Sequence, residues 1–183
     1  MKQWILYEDN HIIIVNKPTR LPVQPDKTGD ITLLDIGKEY IKKTYQKPGN
    51  VYLGLPHRID RPVSGIVILS KTSKSLSRVT RLFREKNIKK TYWAIVQKRI
   101  KHDKGTLTHF LKKNKRLNKS FAIEQEKTGH LKSILKYKLI KVLDNYFLYE
   151  INLISGRHHQ IRAQLSTIGS PIKGDVKYGA KRT

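Results

Sequence analysis

The sequence predicts an α+β fold, a mixed and largely antiparallel sheet with helices packed on it. Three observations lead there. Short apolar or alternating runs of strand length recur along the whole chain. Three stretches, at about 32–46, 73–86 and 158–168, carry apolar positions at helical spacing. The 183 residues suit one compact domain with a sizeable core, and no repeat, linker or low-complexity segment divides them. One domain spanning residues 1–183 is therefore expected.

In chain order, residues 3–7 and 11–16 read as strands around the polar turn Glu8-Asp9-Asn10, the second of them β-branched and buried. Pro18, Pro22 and Pro25 then stiffen an extended loop. Thr32, with Asp35 three residues on, marks a helix start, and Pro48-Gly49 follow its end. Residues 65–70 form a continuous apolar strand. Thr72 caps the next helix, whose stripe is Leu76, Val79, Leu82 and Phe83. In Lys89–Val96 the alternation of Tyr92, Ala94 and Val96 against Trp93 and Ile95 indicates a strand, with Trp93 expected to pack in the core. Residues 106–111, 120–125, 131–140 and 146–154 read as further strands, mostly in hairpins. Lys112–Lys119 holds five cations in eight residues and reads as a mobile loop suited to phosphates. The last helix carries Ile161, Leu165 and Ile168 on one face and ends at Gly169.

Charge and composition narrow the function. There are 38 Lys+Arg against 14 Asp+Glu, a formal net charge of +24. Such an excess predicts a polyanionic partner, nucleic acid before membrane, and salt-sensitive binding. No run approaches the roughly 18 apolar residues of a spanning helix. The first residues lack a signal-peptide core. The chain has no cysteine, which excludes disulfides, thiolate metal sites and thiol catalysis and fits the cytoplasm. His158 and His159 are adjacent, not four apart, and make a poor metal pair. No cofactor motif is visible, and a monomer without membrane contact is expected.

The stretch His57-Arg58-Ile59-Asp60-Arg61-Pro62-Val63-Ser64-Gly65 sets one carboxylate between two arginines on a bent loop feeding the 65–70 strand. Neighbouring guanidinium groups favour an ionised carboxylate, suited to nucleophilic or electrostatic work. Taken alone, Asp60 reads first as a turn-forming residue in a structural ion pair. Tyr92, alone, is a core or sheet-surface aromatic. Arg157 is an anion binder at a helix start, and Arg162 a surface helix residue.

Together, three stretches resemble the motifs of the RluA family of RNA pseudouridine synthases. The Asp60 stretch is similar to H-R-L-D-x-x-T-S-G, with Ile59 for Leu and Val63 for Thr. Lys90–Val96 is similar to K-x-Y-x-A-x-V. Residues 155–179 are similar to T-G-R-x-H-Q-I-R-x-H-L, continuing to G-x-P-I-x-G-D-x-x-Y-G, with Ser155 for Thr and Gln164 for the second His. Asn16–Val23 resembles N-K-P-x-G-L-x-V, with Arg20 where glycine is usual. The resemblance implies the pseudouridine synthase fold and isomerisation of a uridine in rRNA or tRNA. It implies Asp60 as the nucleophile, Tyr92 as base or stacking platform, and Arg162 as the partner holding Asp60 ionised. Arg157 and His159 would position loop or RNA, and Arg58 would fill the space left by the flipped base. Arg61, Lys112, Lys113, Lys115 and Arg116 complete the expected RNA contacts. Family members usually continue after Y-G-A with another strand pair, so this sequence is expected to be either a short version or one lacking those strands. An idle RNA-binding module on the same fold is the alternative. A two-carboxylate hydrolase needs a second acid beside Asp60, and the motif offers only cations.

Overall fold

The computed structural model describes residues 1–182, with Thr183 outside the described residues. The chain divides into two compact units, the first ending at Ile88 and the second beginning at Lys89.

In the first unit, a 3-10 turn (Lys2–Trp4) leads into β1 (Ile5–Glu8), β2 (Ile12–Lys17), α1 (Leu33–Thr44), β3 (Gly65–Ser70) and α2 (Ser73–Arg84). The strands form an antiparallel sheet in the order β1-β2-β3. Both helices begin at capping boxes. Thr32 closes its box with Asp35, and Thr72 closes its box with Ser75, so each helix starts where its orphan backbone N–H groups first find side-chain acceptors. The core is β-branched and aliphatic: Ile13, Val15, Leu33, Ile41, Leu53, Val67 and Leu69. Alternate residues of β2 and β3 supply it, as a period of two requires. Gly37 lets α1 come close, since a Cβ there would lie 2.6 Å from Leu53.

The second unit runs β4 (Thr91–Val96), β5 (Lys104–Asn114), β6 (Lys119–Ile123), β7 (Leu131–Val142), β8 (Phe147–Leu153), α3 (Gln160–Thr167) and a 3-10 turn (Val176–Tyr178). Its five strands form a sheet in the order β4-β8-β7-β5-β6, each neighbouring pair antiparallel. The inward face carries Ala94, Val96, Leu135, Tyr137, Tyr149 and Ile151, and Leu165 of α3 packs against it. The α+β class is as the sequence predicts, and the strands and helices fall close to their expected bounds.

Two expectations are corrected. Trp93 is not in the core but 72 % exposed. Tyr92, Ala94 and Val96 take the inward face because they stand opposite Ile151, Tyr149 and Phe147 of β8, which share the same core. The cationic stretch is also not one long loop. Lys112 and Lys113 lie within β5, paired with Phe121 and Ser120, and Lys119 opens β6. Only 115–118 turn, held by the Asn114 carboxamide accepting from Leu117 N–H (2.9 Å), with Asn118 in the left-handed region (φ 44°).

Candidate functional site

Asp60 lies half-buried on the loop that leaves His57 and re-enters the sheet at Gly65, whose φ of 138° is open to glycine. Val63 N–H donates to Asp60 C=O at 3.1 Å and closes a tight turn on Asp60 itself. Ile59 packs into the unit's core and Arg58 is exposed. Arg61 points to the preceding loop: its guanidinium pairs with Asp30 (2.5 Å) and donates to Arg20 C=O (3.1 Å). Arg61 thus braces the segment Arg20–Asp30 against the Asp60 loop.

Beneath this loop lies a residue that the sequence argument did not single out. Lys17, the last residue of β2, has no exposed surface. Its ammonium donates to Pro18 C=O (2.8 Å), Leu21 C=O (2.8 Å) and Arg61 C=O (3.2 Å). Burial lowers its pKa from 10.5 to about 8, opposed by the nearby Asp60 carboxylate. One buried cation therefore joins the proline loop to the residue after Asp60 and adds positive potential at the carboxylate. The signal was present, since a lysine closing a β-branched run is poorly matched to burial unless its ammonium finds acceptors.

In the second unit Tyr92 is half-buried beside the sheet core, on the same face that packs against Leu165 of α3. Arg162 of α3 is 14 % exposed and grips Asp175 with two parallel hydrogen bonds, Nε to Oδ2 at 2.7 Å and Nη2 to Oδ1 at 2.8 Å. Its Nη1 donates to His159 Nε2 at 3.1 Å, and its guanidinium lies 4.8 Å from the Tyr178 ring centre. Arginine has no acceptor, so His159 Nε2 is unprotonated and Nδ1 carries the proton, which it gives to the Tyr178 hydroxyl oxygen at 3.0 Å. The same oxygen accepts Ser120 N–H at 2.8 Å. His159 holds this place in a left-handed conformation (φ 52°) just before α3, a strained position that the network around it sustains. Asp175 takes two of the guanidinium N–H donors and His159 one, and with the Tyr178 ring against its face they fix the guanidinium plane.

Of the remaining expected residues, Arg157 is exposed before α3, and its backbone N–H is held by the Gln160 carboxamide (3.0 Å). Lys112, Lys113, Lys115 and Arg116 are exposed along the β5–β6 hairpin. Gln164, where the motif has histidine, is fully buried and donates toward Leu107 C=O, Ser133 C=O and His109 Nδ1, which anchors α3 to β5 and β7. The structure brings Arg162 and His159 together, a contact that sequence reasoning did not predict. Sequence reasoning also missed Lys17, Asp175 and Tyr178, although the last two stand in the matched G-D-x-x-Y-G stretch.

The described features are an α+β scaffold, a pinned loop carboxylate, a clamped guanidinium and a large excess of basic residues. The model of the RNA pseudouridylate synthase family matches residues 11–167, and the chain belongs to that family, as its RluA-type motifs anticipate. Ribosomal large subunit pseudouridine synthase C of Rickettsia prowazekii is 34 % identical over 182 residues, covering 99 % of this chain and 58 % of that protein. Ribosomal large subunit pseudouridine synthase D of Borreliella burgdorferi is 29 % identical over 178 residues, covering 96 % of this chain and 54 % of that protein. The chain thus spans little more than half the length of these relatives. Among solved structures, human RNA pseudouridylate synthase domain containing 4 superposes with a TM-score of 0.83 at 24 % identity, over all of this chain and 74 % of that one, a likeness of fold.

Proposed function

We propose that this chain is an RNA pseudouridine synthase that isomerises a uridine of ribosomal RNA, with Asp60 as the catalytic nucleophile. The observation that carries the reading is Asp60 itself, a motif carboxylate on a short loop fixed from below by Lys17 and at its own turn by Val63 N–H. Family membership over residues 11–167 supplies the reaction class, and the names of the relatives supply the RNA. In the proposed reaction the N1–C1′ bond of the uridine breaks and a C5–C1′ bond forms. C5 gives up one proton and N1 gains one, so neither redox chemistry nor a cofactor enters. Asp60 opens the reaction by attacking base or ribose, or by aiding removal of a ribose proton. Tyr92 serves as stacking surface or base at C5. Arg162, its plane set by Asp175 and His159, suits a second carboxylate, and Asp60 is the one the family motif pairs with it. Arg58, exposed beside Asp60, is assigned the space of the extruded base. Arg157, Lys112, Lys113, Lys115 and Arg116 are assigned to phosphates, and Arg61, taken up by Asp30 and Arg20 C=O, to holding the loop. The enzyme is read as a cytoplasmic monomer.

The test is tritium release from ribosomal RNA labelled at uracil C5. The wild-type chain is expected to release tritium, and Asp60→Asn to release none while binding the RNA with little change. Turnover by purified Asp60→Asn protein would remove the nucleophile assignment. RNA binding by the wild type with no release would favour the idle-module alternative.

A further inference from the structure

The segment before the Asp60 loop runs along the outer edge of β3. Gly54 and Ser70 exchange both backbone hydrogen bonds, Gly54 N–H to Ser70 C=O at 2.7 Å and Ser70 N–H to Gly54 C=O at 2.8 Å. Continued antiparallel, the ladder would set residue 56 opposite Ile68. Residue 56 is proline, which has no N–H to give, and the ladder does not extend as backbone pairing. Ile68 N–H instead donates to Nε2 of His57, at 3.0 Å. On its other side the imidazole lies against Phe83 of α2, with ring centres 4.5 Å apart and planes at 33°.

From this geometry we infer that His57 is the positioning residue of the Asp60 loop, acting as a side-chain rung of the β3 edge. The inference rests on the proposed function for what the loop does, but not for how it is held. The loop leaves the sheet at His57 and rejoins it at Gly65, three residues before the amide that His57 grips. Both ends of the loop are thereby tied to one strand, and Asp60 sits in the short arc between them. Because Nε2 accepts a backbone N–H, the imidazole is neutral with its proton on Nδ1. Neither arginine nor lysine at this position offers an acceptor, and an aliphatic residue fills the space without the rung. Lys17 holds the far side of the arc through Arg61 C=O, so the carboxylate is fixed from two directions by groups that need not touch substrate. Positioning of this kind acts on the chemical step, because a displacement near 1 Å can cost about a hundredfold in rate.

Two variants separate the acceptor from the ring. His57→Phe keeps the stack on Phe83 and removes the acceptor; His57→Gln keeps an acceptor of similar reach and removes the ring. Amide hydrogen exchange at Ile68 is expected to quicken in His57→Phe and stay slow in His57→Gln. On tritium-labelled ribosomal RNA, His57→Phe should lose about tenfold or more in kcat with KM nearly unchanged, and His57→Gln should recover most of it. The wild-type ring supplies a check that needs no variant, since its nitrogen chemical shifts should report the Nδ1–H tautomer. A protected Ile68 amide or full turnover in His57→Phe overturns the inference, as does an Nε2–H ring or a His57→Gln protein as impaired as His57→Phe. If the wild type isomerises nothing, the proposed function fails, while exchange and tautomer still decide the rung.

Discussion

Replacing Lys17 by methionine removes a charge that the fold tolerates only because three carbonyls surround it. The two 2.8 Å bonds, from a charged donor, are worth about 1.5–3 kcal/mol each, and the 3.2 Å bond to Arg61 C=O about 1. Against them stands the cost of keeping the ammonium charged out of water. A pKa of about 8 in place of 10.5 corresponds to about 3 kcal/mol of disfavoured charge. Methionine fills the volume and ends that cost but leaves the carbonyls unmet, so the expected net loss is about 1–4 kcal/mol at pH 7. The pH dependence makes the test specific. Between pH 8 and 10.5 the unfolded chain holds a proton on Lys17 that the folded chain has released. Wild-type stability should therefore rise relative to Lys17→Met across that window, by at most about 1.4 kcal/mol per pH unit. Urea denaturation of both proteins at pH 7, 8.5 and 10 measures this. Equal stability at pH 7, with a difference that stays flat to pH 10, would refute the picture of a charged lysine buried under the Asp60 loop.

Other expectations follow from the same structure. Asp175→Asn should cost about 3 kcal/mol, because it breaks a pair whose side chains are 10 % and 14 % exposed; a loss below about 1 kcal/mol in urea denaturation would show that Arg162 is held by other means. His109 is buried, and burial lowers its pKa below 6.5. The unfolded chain then binds the extra proton first, so stability present above pH 6.5 is lost as pH falls through the lowered value; the loss should be smaller in His109→Asn, and equal acid slopes would contradict it. With a net charge of +24, affinity for ribosomal RNA should drop at least about tenfold between low and physiological salt, and a flat binding curve would argue against phosphate contacts.

How much of this was legible in the sequence depended on how local each cause was. Capping boxes at Thr32 and Thr72 are fixed by residues three apart, and both are where the sequence puts them. The bend carrying Asp60 follows from Pro62 and Gly65 and needed nothing distant. Trp93 marks the first limit. A period of two sorts a strand's residues into two sets, but with Trp93 and Ile95 in one set and Tyr92, Ala94 and Val96 in the other, both looked apolar. Only the pairing with β8 decided which set faces the core. Lys17 marks the second limit. Two of its acceptors are within four residues, yet the third is Arg61 C=O, brought there by the β2–β3 pairing that sets Lys17 opposite Gly65.

Arg20 shows the two kinds of cause meeting. The family motif carries glycine at this position, and Arg20 keeps the backbone that glycine would favour, with φ at 65°. A side chain there costs about 1–2 kcal/mol in a left-handed turn, and it is tolerated within a loop tied on both sides. Lys17 binds the carbonyls of Pro18 and Leu21, and Arg61 donates to that of Arg20 itself. The proline loop and the Asp60 loop are therefore one braced unit. Its two cations, Lys17 and Arg61, are spent mainly on backbone carbonyls and on Asp30, so loop shape is fixed from beneath while Arg58 stays exposed beside the carboxylate. That division explains why the arginines flanking Asp60 cannot be treated as a symmetric pair. One continues the scaffold, and the other, in the proposed function, takes the space of the extruded base.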